Sequence, residues 1–425
     1  MKPFTVAAIA ALALTACAPA PRPGDPTPST GSAPVAAPPA PGPGSPVIGA
    51  FSASATAAPS PLTTALRWDV SDPDGDALQC VLHLDDGSED QVVNGCDSGD
   101  SRARTITATG ARTATLSVTD GGTTVSSSLQ LNVAAPSVDP FGITLRLSPG
   151  MTAEQSAAFD TAANRWDRIV RTGLADQPLS FAANYCADGL DAYSGTVDDL
   201  LIDVLVRNID GPGGILGQAG PCLLRGGGGL PVYGIMVFDS SDLTSLQSQG
   251  LLVDTITHEM GHVLGIGTVW NASDTSGLGS ANPLFTGPVA GAAYNALGGS
   301  GAVPLENTGG SGTADSHWRE SVFGTALMTG WIDTSNQLST ISVGALADMG
   351  YGVDLSAADP YTLPAPSLLS SVRGHGDPTS QRATTELVTP KGEVTTTSPA
   401  PRRDHRDRAD RPAPHGRRLH RHSPR

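Results

Sequence analysis

The chain has 425 residues, length enough for two or three domains, with 25 basic and 41 acidic residues and a formal net charge of −16. Its last 25 residues hold nine Arg and three Asp, so the first 400 carry a net charge of −22. An acidic body excludes nucleic acid as a partner, because neutralising phosphate needs Lys and Arg on the folded surface.

Residues 1–17 read as an export signal. Lys2 precedes an apolar run from Val6 to Leu14 that is too short to span a bilayer. The boundary Leu14-Thr15-Ala16-Cys17 resembles the bacterial lipobox, whose cysteine becomes the lipid-bearing first residue of the mature protein. The other reading is an ordinary signal peptide that contains a cysteine. Membrane contact is therefore expected only through a lipid on Cys17, at the cell surface, or else the protein is extracellular. Cys80, Cys96, Cys186 and Cys222 remain, an even number in an exported chain, which suggests disulfides. Three connectivities are open, and Cys80–Cys96 with Cys186–Cys222 keeps each pair inside one expected domain. Residues 18–46 are Pro, Ala, Gly, Ser and Thr with little that is bulky and apolar, an extended linker.

Residues 47–134 read as all-β. The stretches 66–70, 78–84, 114–118 and 128–133 alternate apolar and polar residues, and turn clusters such as Asp72-Pro73-Asp74-Gly75-Asp76 and Asp120-Gly121-Gly122 separate them. Short strands over about 90 residues predict a small β-sandwich. The segments 68–76 and 116–122 resemble polycystic-kidney-disease-type and related immunoglobulin-like modules of extracellular bacterial enzymes. Asp72, Asp74 and Asp76 are a candidate structural Ca²⁺ site by their carboxylate oxygens, or simply turn formers.

From Phe141 the pattern changes. Residues 143–147 predict a strand, and Thr152 with Gln155 three residues on predicts a capping box. The helix it opens buries Phe159, Ala162, Trp166, Ile169 and Val170 by their spacing, with Gly173 placed to end it. Residues 200–206 and 233–238 predict strands, 253–264 a helix closed by Gly265 and Gly267, and 342–349 a short helix stopped by Gly350. Gly- and Ser-rich loops are expected over 271–314. Residues 365–425 lack periodicity and are expected to be disordered, the break near Arg402 suggesting a shifted reading frame or a basic tail for a polyanionic surface.

The chemistry lies in His258-Glu259-Met260-Gly261-His262-Val263-Leu264-Gly265. Histidines four apart on a helix project from one face, so both imidazoles can reach one ion. A hydrolytic zinc takes three protein ligands and keeps one position for water. Glu259, beside His258, is then the catalytic base that takes that water's proton and returns it to the leaving amine. A bare His-Glu-x-x-His also occurs by chance on amphipathic helices. Here Gly265 follows three residues after His262, where metzincin chains turn sharply, and only four histidines precede residue 375: His83, His258, His262 and His317.

For the third ligand, Thr268 occupies the position where a short metzincin motif has its histidine. His317 is the downstream histidine in the folded region, and Asp274, Glu306, Asp315 and Glu320 are oxygen candidates. These residues together resemble the leishmanolysin family of metzincin zinc proteases, in its bacterial branch. The resembling pieces are 257–267, Phe285-Thr286-Gly287-Pro288, the stretch 315–320, Leu327-Met328-Thr329 and 346–351. The family interrupts the motif with a long insertion before its third histidine, which accounts for Thr268 and implies His258, His262 and His317 as ligands. Met328 is then the Met-turn residue, acting by packing beneath the metal.

The resemblance covers residues 141–360 and implies an α+β zincin catalytic domain, here behind a small all-β module. It implies endopeptidase activity on protein substrates with one Zn²⁺. Two other classes stand beside it: an adhesion protein whose metal site is silent, and a zinc hydrolase acting on non-peptide bonds. A peptide substrate is expected to pair with an edge strand, for which Tyr233–Asp239 is the candidate.

Overall fold

The computed structural model describes residues 44–227, 229–270, 273–310 and 312–364, with the backbone of Gly392–Val394. Cys17, the export signal and most of the linker lie outside the described residues.

The N-terminal strands are β1 (Val47–Ala53), β2 (Ala57–Pro59), β3 (Leu62–Ser71), β4 (Gln79–Leu84), β5 (Gln91–Asn94), β6 (Ser101–Ile106), β7 (Gly110–Thr119) and β8 (Thr124–Ala134). They form two sheets, ordered β1-β3-β6 and β2-β8-β7-β4-β5. Pairing is antiparallel except between β2 and β8. Alternation along β3 and β7 sends Leu66, Trp68, Leu116 and Val118 into one buried cluster, the period of two turned into a core. Cys80 and Cys96 are disulfide-bonded within it. This part docks on the rest of the chain: Thr63 Oγ1 donates to Val353 O at 2.6 Å, and Leu355 N donates to Thr105 Oγ1 at 3.1 Å.

The second part is mixed α/β. Its large sheet contains β9 (Ile143–Leu147), β12 (Leu200–Arg207), β13 (Gly217–Arg225), β14 (Pro231–Asp239) and β18 (Gly392–Val394), in the order β18-β13-β14-β12-β9. β9, β12 and β14 are mutually parallel, while β13 runs antiparallel to β14. α1 (Ala153–Ile169) and α3 (Leu252–Leu264) cover one face. The hairpin β10 (Gln177–Phe181) with β11 (Tyr193–Val197) covers the other, where Phe181 stacks on Tyr233 at 4.4 Å and Cys186 is bonded to Cys222. β12 shows why both faces need cover. Leu200, Ile202 and Val204 enter one cluster while Leu201 and Leu205 enter the other, the continuous apolar run of a strand buried on both sides.

α1 carries the expected capping box, Thr152 Oγ1 accepting from Gln155 N and Gln155 Oε1 from Thr152 N. Gly173 does not end it. The helix stops at Ile169, Val170 turns extended, and Gly173 serves a close approach, since a side chain there would overlap Asp139 O.

The stretch expected to be loop over 271–314 is partly structured. It contains β15 (Thr275–Ser276), β16 (Leu284–Phe285), β17 (Val303–Pro304) and α4 (Pro288–Ala296). α4 has Pro at its first position and no side-chain cap of its own. Its cap comes from α6 (Thr340–Met349), whose Asp348 accepts from Val289 N and Ala290 N at 2.8 and 2.9 Å. Burial pushes the Asp348 carboxyl up to about 7. α2 (Leu243–Gln249) and α5 (Glu320–Phe323) are two further helices, and α6 ends at the left-handed Gly350. β18 corrects the expectation of a wholly unstructured 365–425; the rest of that stretch lies outside the described residues.

Tyr233–Asp239 is not an edge. It lies in β14, paired to β12 on one side and β13 on the other, so its backbone groups are already spent. The strand beyond it is β13, which β18 accompanies only at Leu223–Arg225.

Candidate metal centre

α3 is the axis of the site. It presents His258, Glu259 and His262, all 0 % exposed. It ends because Gly265 adopts φ 118°, a left-handed cap that lets the next amides turn back to the last carbonyls. Thr268 Oγ1 donates to His262 O at 2.7 Å, so the residue standing where a short motif has its histidine works as a cap instead. Gly267 follows at φ 76°, and a side chain there would overlap Ser316 O. That close crossing brings the returning chain, and His317 with it, against the end of α3.

The three imidazoles meet. Their Nε2 atoms are 3.0, 3.1 and 3.2 Å apart. Each Nδ1 faces a main-chain oxygen: His258 that of Leu327 at 2.7 Å, His262 that of Ile266 at 2.8 Å, His317 that of Thr313 at 3.0 Å. A carbonyl only accepts, so each Nδ1 carries the proton and each Nε2 offers a lone pair to the same point. Two nitrogens about 2.05 Å from a tetrahedral ion lie about 3.3 Å apart, close to the observed triangle. Burial lowers His258 to about 4 and His317 to about 3, and with its two neighbours lowers His262 well below the usual value. The rings are neutral at physiological pH, the form that ligates.

Glu259 is buried, and neither of its carboxylate oxygens has a hydrogen-bond partner among the described residues. Burial raises it to about 8. Such an orphaned carboxylate is costly unless a cation or a reacting group answers it. Its wall is Gly217 on β13, where a Cβ would stand 3.1 Å from Glu259 Oε1.

Met328 packs under the helix between the two motif histidines. A Cβ on Gly261 would lie 2.8 Å from Met328 Sδ and 3.3 Å from Trp166 Cζ2. The same turn supplies Leu327 O to His258, so it packs against Gly261 and holds the His258 ring by a hydrogen bond. Gly261→Ala is expected to overpack this contact, lowering zinc affinity by about 10-fold or more; a chelator competition on the folded variant measures it.

The oxygen candidates for a third ligand are placed elsewhere. Among the described residues, the buried group able to hold a metal is His258, His262 and His317; the other, Asp139, Asp176 and Asp198, is exposed. Glu306 Oε1 accepts from Asn307 N, Thr308 N and Thr308 Oγ1, and its Oε2 from Glu320 N. Asp315 accepts from Gly279 N, and Asp274 and Glu320 belong to neither group. Nor do Asp72, Asp74 and Asp76, which gives the Ca²⁺ expectation no support: Asp72 Oδ1 accepts from the amides of Asp74 and Asp76, making a turn. Gly217, Gly261 and the three carbonyl acceptors were missed in the sequence. Gly261, inside the motif, was the one with a visible signal, a glycine where a helix loses stability by it.

Residues 193–364 match the family model described as leishmanolysin. A search of curated proteins finds no match. Among solved structures, the crystal structure of a Paenibacillus sp. cycloisomaltooligosaccharide glucanotransferase complexed with cycloisomaltoheptaose is similar at 15% identity and a TM-score of 0.16. The match covers 37% of this chain and 27% of that one, a likeness too slight to carry an argument.

Proposed function

We propose, from the premise that this chain is leishmanolysin-like over residues 193–364, that it is an exported zinc metalloendopeptidase with a metzincin-type body behind an immunoglobulin-like β-sandwich. One observation carries the reading: three Nε2 lone pairs aimed at a single point, beside a buried carboxylate whose oxygens have no partner. His258, His262 and His317 are the residues that would hold the ion. Bound there, zinc supplies Lewis acidity, making a water acidic enough to give up a proton near neutral pH and stabilising charge on the scissile carbonyl oxygen.

The chain's own groups do the rest. Glu259, whose two carboxylate oxygens have no partner among the described residues, accepts the proton of the attacking water and then releases it to the leaving amine. A silent or structural site has no use for an unliganded buried acid, which argues against the adhesion reading. The substrate backbone would pair along β13, the strand whose Gly217 abuts Glu259.

The deciding experiment uses the full chain with casein as substrate. The expected result is one zinc per protein, cleavage abolished by chelator and restored by zinc. Stoichiometric zinc without cleavage of any protein substrate would overturn the peptidase reading.

No helix among the described residues is long and apolar enough to cross a membrane. We infer the anchor from the lipobox-like boundary Leu14-Thr15-Ala16-Cys17, and Cys17→Ser is expected to move the protein from the membrane pellet to the soluble fraction. A bacterial lipoprotein carries several acyl chains, more than the single chain that binds only weakly. Unchanged sedimentation of the variant, or no lipid on the parent, would overturn the anchor.

A further inference from the structure

The segment 208–216, Asn-Ile-Asp-Gly-Pro-Gly-Gly-Ile-Leu, leads into β13 at Gly217, the residue against Glu259. Three glycines and two left-handed positions, Gly211 and Gly213, would leave such a loop many conformations. The last residue of β14 removes them. Asp239 is 0 % exposed, and its Oδ2 accepts from Ile209 N, Asp210 N and Gly211 N at 2.7, 2.9 and 3.1 Å. Oδ1 accepts from Ser241 N at 2.7 Å. Its own amide donates to Leu216 O at 3.1 Å, so one residue holds both ends of the loop. Asp242 Oδ1 takes Gly213 N, and the Asp210 carboxylate takes Ile215 N. Burial alone would raise the Asp239 carboxyl, but these amides hold it well below the usual range.

Ile215 stands out on this loop. It is half-buried, yet it joins none of the buried apolar clusters, while its neighbour Leu216 is 1 % exposed and fully in the core. An apolar side chain two residues before the wall of Glu259, partly exposed and outside every apolar cluster among the described residues, has the chemistry of a substrate contact.

We infer that Ile215 is a specificity-determining residue, receiving an apolar side chain of a peptide laid along β13, and that Asp239 is the positioning residue that fixes it there. This rests on the peptidase reading. Asp239 never meets the substrate; it acts by making the loop one conformation before binding, so that no ordering has to be done when the peptide arrives.

The test compares two zinc-directed probes on the full-length zinc protein: acetohydroxamate, which reads the metal alone, and dipeptidyl hydroxamates bearing Leu or Ser, which read metal and rim together. Ile215→Ser is expected to reduce the Leu-over-Ser preference by about 10-fold, the order of a lost apolar contact. Asp239→Asn should weaken both dipeptidyl probes by about 10-fold. Acetohydroxamate affinity and zinc stoichiometry should stay parental in each. Unchanged preference in Ile215→Ser, or an Asp239→Asn protein that melts lower but binds every probe as the parent does, overturns the inference. A parallel loss of acetohydroxamate binding overturns it too, by placing the effect at the metal. Failure of the parent itself to bind acetohydroxamate would instead strike the peptidase reading.

Discussion

His317→Ala is expected to lower zinc affinity by orders of magnitude and to take peptidase activity with it. His258 and His262 are held by the helix and would remain, but two imidazoles make an incomplete shell for a hydrolytic zinc. The loss is not compensated locally. Glu306 has both oxygens engaged by main-chain and hydroxyl donors, and Asp315 is turned to Gly279 N. Single replacements of Asp274, Glu306, Asp315 and Glu320 should therefore leave stoichiometric zinc in place. Zinc per protein after dialysis against a mild chelator, read beside casein cleavage, checks this. Full retention in His317→Ala, with loss in one carboxylate variant, would move the third ligand and remove the ground for the family's interrupted motif here.

Glu259→Gln should do the opposite to the metal and as much to the rate. The amide fills the same space beside Gly217 and leaves the three Nε2 atoms where they are, so zinc should stay at one per chain. Cleavage should fall by about 10²–10⁴, the usual contribution of a positioned general base. Stability of the metal-free protein gives an independent reading. A carboxyl whose folded pKa is raised to about 8 from 4.5 binds its proton more tightly folded than unfolded. Its unfavourable contribution is absent below about 4.5 and grows as pH rises through 8. The parent's metal-free Tm should thus drop between pH 6.5 and 8, above the range in which the buried histidines titrate, and the Gln variant should keep only the smaller part of that drop due to Asp348, which burial raises to about 7. Zinc loss together with activity, or an identical pH profile, would show that the carboxylate serves the metal rather than the proton.

The motif on α3 was legible in the sequence because its logic is local. A helix repeats every 3.6 residues, so spacing alone puts His258 and His262 on one face, and Gly265 marks the end without reference to anything distant. The same holds for the Thr152–Gln155 capping box and for the alternation in β3 and β7, where neighbouring positions decide burial. The loop-rich reading of 271–314 failed at α4, since its cap is Asp348, about sixty positions away and invisible to any window. Strand order was equally hidden: nothing within residues 231–239 distinguishes a central strand from an edge, because the difference lies in which other strands pair with it. His317 stood between these cases. Scarcity and resemblance singled it out, but only the tertiary structure brings its Nε2 within 3.2 Å of His258, by folding the chain back where Gly267 lets Ser316 pass. Loop closure over that distance leaves no periodic trace, so the meeting of a histidine with one fifty-five residues away is decided by packing rather than by spacing.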